Sequence, residues 1–197
     1  MDFVRAKEYI LGRLRTELPP KLFYHSFKHT IDVYEATINL AKMEGVNGVD
    51  LSLMEIAALY HDAGFICQYL DNEKVAAKMA RETLPDFGYT PEQVEAVAAM
   101  IMATVVTAVP STHFEQIVKD ADLDYLGRDD FHPISVSLKE ELNANGFQLS
   151  DQKWDEIQIK FLTAHMYYTP SAIKLRKQKK QEHFAEIQER LLTYEKK

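Results

Sequence analysis

The stretch Ile56-Ala57-Ala58-Leu59-Tyr60-His61-Asp62-Ala63-Gly64 decides how this chain is read. Five mostly apolar residues run straight into an imidazole and a carboxylate. Burying such a charge is costly unless an ion partner or a metal meets it. Ser52 and Glu55 form a capping-box pattern ahead of the apolar run, and Gly64 follows as a terminator, so the segment reads as a helix ending on His-Asp. Adjacent residues leave a helix about 100° apart. His61 and Asp62 can therefore share one ion only if it lies off the helix flank and other helices bring further ligands. Taken alone, the dipeptide reads equally as a helix end with a solvated Asp.

Working outward, the dominant period is helical. Val4, Tyr9, Ile10, Leu14 and Leu18 outline an apolar face before Pro19-Pro20 stops the first helix. A second helix begins near His25 and carries Val33, Tyr34, Leu40 and Ala41 toward Gly45. Asn72 to Leu84 is amphipathic. Thr90-Pro91-Glu92-Gln93 supplies a cap and a first-turn proline for a helix to about Val106. Ser111 or Thr112 caps a helix reaching Gly127, and Phe131–Asn145, Ser150–Tyr168 and Thr169–Tyr194 complete the pattern. No strand-type alternation is sustained and no internal repeat is found. The expectation is an all-α, single-domain bundle of about eight helices over residues 1–197.

Composition sets further bounds. The chain has 197 residues, 46% of them hydrophobic, enough for one sizeable core. A net charge of -7 leaves no footprint for nucleic acid, and Lys174–Lys180 is the one basic run, read as a solvated helical face. The single cysteine, Cys67, excludes an intramolecular disulfide and a thiolate-rich zinc site, and reads as a small apolar filler. No apolar run suits a membrane and the charged N-terminus lacks a signal-peptide core, so a soluble cytoplasmic protein is expected.

Two further groups carry donor chemistry. His25 and His29, four residues apart, share a helical face. Asp120, Asp122 and Asp124 crowd Lys119-Asp120-Ala121-Asp122-Leu123-Asp124, where a cation would relieve their repulsion. A solvated acidic turn is the plain reading of that run by itself.

In chain order these groups give His, then His-Asp, then Asp. This resembles the signature of the HD-domain superfamily of metal-dependent phosphohydrolases, over about His25 to Arg128. The resemblance implies an HD-like domain with a metal-binding core over about 21–128 and a C-terminal helical extension over about 129–197. It implies His29, His61, Asp62 and Asp122 as metal ligands. Asp122 is preferred to Asp120 because Ala121-Asp122-Leu123 matches the family's context. Asp120 then orients a histidine or a coordinated water. The implied cofactor is one divalent ion, Mn, Zn, Co, Ni, Fe or Mg. Where related sequences often carry His-Glu and a later His, this chain has Asn72-Glu73 and Thr104, which weakens a dinuclear site.

The resemblance also implies the chemistry: attack of ion-generated hydroxide on a phosphomonoester or phosphodiester, with a nucleotide as the expected substrate. His25, following Tyr24, resembles the general acid of the cyclic-nucleotide phosphodiesterase branch. Lys28 and Arg128 are candidate phosphate partners, and Glu73 a candidate catalytic residue. The competing reading is a catalytically quiet HD scaffold that binds a nucleotide or a protein. A homo-oligomer is allowed. His113, His132 and His183 read as structural or solvated, while His165 is placed either in the core or at the pocket.

Overall fold

A computed structural model describes residues 1–194. These form nine α-helices: α1 (Phe3–Glu17), α2 (Phe27–Met43), α3 (Gly48–Tyr60), α4 (Asn72–Thr83), α5 (Pro91–Ala103), α6 (His113–Asp122), α7 (Phe131–Ala144), α8 (Asp151–Ala164) and α9 (Pro170–Tyr194). Short 3-10 turns cover Ala63–Ile66, Leu84–Phe87 and Asp124–Gly127. Among the described residues there is no strand, and the all-α, single-domain expectation holds.

The centre of the molecule is α3. Leu53, Met54 and every residue from Ile56 to Tyr60 are buried, so the helix is apolar all round rather than along one stripe. It packs against α1, α2, α5 and α6. That enclosure explains the apolar run ahead of His61-Asp62: the motif sits where a core helix ends. α8 and α9 pack on each other, and α9 also packs on the Asp124–Gly127 turn. The C-terminal helices are thereby joined to the acidic segment. Among the described residues no helix is long and apolar enough to cross a membrane.

Several local expectations are confirmed. Thr90 and Gln93 form a reciprocal capping box on α5. Thr112 caps α6 through the Glu115 amide.

Others are corrected. The Ser52–Glu55 box does not open α3, which begins four residues earlier at Gly48. Ser52 Oγ instead donates back to Gly48 O, and Glu55 accepts from the Tyr34 hydroxyl at 2.8 Å. Gly64 does not release the chain through positive φ; it allows close packing. A Cβ there would lie 1.8 Å from Asn72 O, so only glycine lets the turn after the motif meet the start of α4. The helix carrying the acidic cluster ends at Asp122 and not at Gly127. α8 stops at Ala164, and Val4 is exposed. Cys67 is exposed, so it fills no core space.

Candidate metal centre

Four donors meet where three elements converge. His29 comes from the first turns of α2, His61 and Asp62 from the end of α3, and Asp122 from the last residue of α6. His61 Nε2 lies 3.3 Å from His29 Nε2, 3.1 Å from Asp62 Oδ2 and 3.5 Å from Asp122 Oδ1. His29 Nε2 lies 3.4 Å from Asp62 Oδ2 and 3.2 Å from Asp122 Oδ1. Neighbouring ligands on an ion with bonds of about 2.0–2.2 Å stand about 3.0–3.5 Å apart.

The protonation pattern agrees with that spacing. His61 Nδ1 lies 2.7 Å from Ala58 O, an acceptor, so Nδ1 carries a proton and donates. In the neutral ring this leaves Nε2 as a lone pair facing the other donors, the arrangement commonly found behind a ligating histidine. Asp62 Oδ2 is buried without a hydrogen-bond partner. A buried carboxylate oxygen and two imidazole nitrogens gathered at these distances fit a divalent cation. Without one, burial disfavours charge on His61, but Asp62 and Asp122 outweigh it and hold the imidazolium well above its ordinary range. Against the same burial, the two histidines hold Asp122 far below the usual carboxylate range, and His61 foremost lowers Asp62.

A cavity of about 310 Å³ opens beside the cluster, with Asp62, Asp122, His25, Asn72, Glu73 and Thr104 at its polar end. His25 Nδ1–H donates to Glu141 Oε1 at 2.5 Å, which leaves Nε2 as its available nitrogen. Glu141 Oε2 accepts from the backbone amides of Tyr24 and His25 at 2.9 and 3.0 Å, and the Tyr69 hydroxyl donates to Oε1 at 3.1 Å. The Phe65 ring stacks on His25 at 4.4 Å. Burial opposes charge on this imidazole, yet Glu141 and then Asp62 raise its pKa above the ordinary value.

The remaining sequence-predicted residues are distributed unevenly. Glu73 shares the cavity wall with His25. Lys28 and Arg128 line a different cavity of about 170 Å³ with His29 and Asp32, on the other side of the donor cluster. Arg128 is engaged there by Asp32 at 2.8 Å and Asp130 at 2.7 Å. Asp120 turns away from the cluster: its oxygens accept the amides of Tyr168 and Thr169 and the Thr169 hydroxyl. His165 lines a third cavity with Met166 and Lys180, not the one beside the donors.

Two contributors escape sequence reading. Glu141 sits in Lys139-Glu140-Glu141-Leu142, which resembles a solvated helical face, yet it is fully buried. Lys119 is also buried and donates to Ala103 O and Val105 O at 2.9 and 2.8 Å. No local signal marks either, since both are defined by contacts distant in sequence. The basic run is solvated at Lys174 and Lys177, as expected, and paired elsewhere: Arg176 binds Asp124, Lys179 pairs with Asp129 and Lys180 donates to His165 O. A second cluster, His132, His183 and Glu186, ties α7 to α9, with His132 Nε2 2.8 Å from Glu186 Oε2.

Comparison with known proteins agrees with this fold. The chain is similar over 95% of its length, at 22% identity and a TM-score of 0.60, to a predicted HD superfamily hydrolase from an uncultured Thermotogales bacterium, 92% of which is covered. It is similar to Bacillus subtilis YpgQ, solved in complex with ADP, at 18% identity and a TM-score of 0.68 over 99% and 97% of the two chains. A Lactobacillus plantarum structure aligns at 17% identity and a TM-score of 0.66, over 98% and 97%. No curated protein matches the chain. The HD domain matches residues 26–124, from the cap of α2 through the acidic segment, and this chain belongs to the HD-domain family.

Proposed function

We propose that the chain is a hydrolase of phosphate esters in which His29, His61, Asp62 and Asp122 hold one divalent ion. The observation that carries the reading is the convergence of these four donors, at 3.1–3.5 Å in five pairings, beside a cavity lined by Asp62, Asp122 and the Glu141-bound His25. When bound, such an ion activates water and neutralises charge on a phosphoryl group. The chain's own residues do the rest. Glu141 fixes the His25 ring and keeps it protonated, and Nε2 gives its proton to the oxygen that leaves phosphorus. Water supplies the oxygen of the new P–O bond as the ester P–O bond breaks, so the products are an alcohol and a phosphate. Glu73 and Asn72 stand at the same end of the cavity and can hold the attacking water or the ester oxygens.

Lys119 supports one ion rather than two. Its ammonium acts electrostatically with Asp122 and Glu73, where a second cation would meet repulsion. Lys28 and Arg128 serve as charge partners on the opposite side of the donors. Asp120 acts by fixing the Tyr168–Thr169 segment against α6. The substrate is a small phosphorylated molecule, and the ADP bound by YpgQ supports a nucleotide. Of the C-terminal helical extension, α7 and α8 close the cavity, since Glu141, Trp154 and Phe161 border it or its histidine.

The test is turnover of nucleotides and p-nitrophenyl phosphate by purified protein loaded with Mn²⁺ or Co²⁺. Hydrolysis lost in Asp62→Ala is the expected result. No turnover of any ester at full metal loading would overturn the proposal.

A further inference from the structure

The two cavities beside the donor cluster differ in their lining, and that difference bears on which bond is broken. Among the described residues no lysine or arginine borders the cavity that contains His25, although the Lys119 ammonium acts on Asp122 and Glu73, which line it together with Asp62. Much of its lining is apolar, formed by Leu126, Phe131, Leu138, Leu142, Trp154 and Phe161. Lys28 and Arg128 border only the cavity on the other side.

Polar atoms among and beside these apolar residues are already committed. Ser135 Oγ donates to Gln158 Oε1 at 2.5 Å and accepts from Trp154 Nε1 at 3.0 Å. Gln158 Nε2 donates to Asp155 Oδ1 at 3.1 Å, and Asp155 is held by Arg190. Thr104 Oγ1 donates to Ile101 O at 2.7 Å. A ligand group placed there finds few free partners, so each polar atom it brings is desolvated without compensation. Pockets that discriminate in this way take apolar surface and orient it from one polar end.

We propose that the departing half of the substrate is an uncharged, mainly apolar or aromatic alcohol, and that the bond cleaved is a phosphate ester rather than a phosphoanhydride. The inference rests on the phosphohydrolase reading, which puts the leaving oxygen on the His25 side. Water adds to phosphorus, the ester P–O bond breaks, and the proton from His25 Nε2 completes the alcohol inside the apolar chamber. A nucleoside polyphosphate cleaved at its anhydride would instead leave a phosphate anion among the apolar lining residues, without polar partners there.

Phosphonates test the chamber without turnover, because their P–C bond is not hydrolysed. Calorimetric titration of Mn²⁺-loaded protein with benzylphosphonate and with 4-carboxybenzylphosphonate compares one shape with and without a negative tail. The expected result is at least tenfold weaker binding of the carboxylated ligand. Leu142→Trp, which fills part of the chamber at a half-buried position, should weaken benzylphosphonate at least tenfold and leave inorganic phosphate unchanged. Equal or tighter binding of 4-carboxybenzylphosphonate, or benzylphosphonate affinity indifferent to Leu142→Trp, would overturn the proposal. Failure of the phosphohydrolase reading is visible separately, as absence of benzyl phosphate turnover by protein that still discriminates between the two phosphonates.

Discussion

Glu141 takes the Nδ1 proton side of His25 at 2.5 Å and, with its other oxygen, the backbone amides of Tyr24 and His25. One carboxylate from α7 thus fixes the position, tautomer and charge of a histidine 116 residues earlier. The pair joins the C-terminal helices to the entrance of α2, and it supplies the first prediction.

Glu141→Gln keeps the shape and removes the charge. His25 is raised above its ordinary pKa, so the pair's contribution from His25 is fully present below about pH 6.5 and is lost as pH rises through the folded value. Glu141 is lowered despite its burial, chiefly by His25, so its contribution is lost as pH falls through its folded value below the ordinary carboxylate range. The variant should lose about 3 kcal/mol near pH 6, as expected for breaking a buried charge pair. Its kcat should fall with KM little changed, and the alkaline limb of the pH–rate profile should move to lower pH. A profile with the same alkaline limb would show that His25 is not the titrating acid.

His165 makes a second, independent pH prediction. Burial first, and then Lys180, push its pKa down to about 3. The unfolded chain therefore binds a proton that the folded chain refuses between about pH 6.5 and 3. Stability from this neutral histidine is complete above pH 6.5 and declines as pH falls through that window. Thermal midpoints of His165→Gln measured from pH 7 to 4 should fall less steeply than those of the parent. Parallel curves would contradict the assignment.

Gly64→Ala tests how the motif is held. The added methyl would meet the Asn72 carbonyl, a backbone atom that cannot rotate away. A loss of about 3 kcal/mol or more is expected, at the upper end of overpacking costs. Denaturant titration would report it. Because the clash is at the start of α4, substrate KM should also rise through displaced Asn72 and Glu73. A variant as stable as the parent would mean that this contact is not held in solution.

Much of this architecture was legible along the chain, for physical reasons. Helical periodicity, Pro19-Pro20 and the Thr90 box are local, and they mark helices whatever the tertiary context. The order His29, His61-Asp62, Asp122 is also readable, since each donor lies in a short motif. What escaped depends on distant packing. Glu141 looks solvated because only the fold brings Tyr24 and His25 to it. Ser52-Glu55 looked like a cap because the same spacing occurs inside a helix, where Glu55 serves Tyr34. Gly64 looked like a terminator because its need for closeness to Asn72 has no local trace. The separation of Lys28 and Arg128 from the His25 cavity is likewise a property of tertiary packing, not of residue spacing.

The central claim is that His29, His61, Asp62 and Asp122 share one ion, and calorimetric titration with Mn²⁺ tests it most directly. Metal-free parent protein should bind one equivalent and gain about 2.7 kcal/mol of stability at a free metal concentration 100 times Kd. Asp62→Ala and Asp122→Ala should each lose that binding while keeping the helical far-ultraviolet spectrum. Unchanged stoichiometry and affinity in both variants would contradict the account.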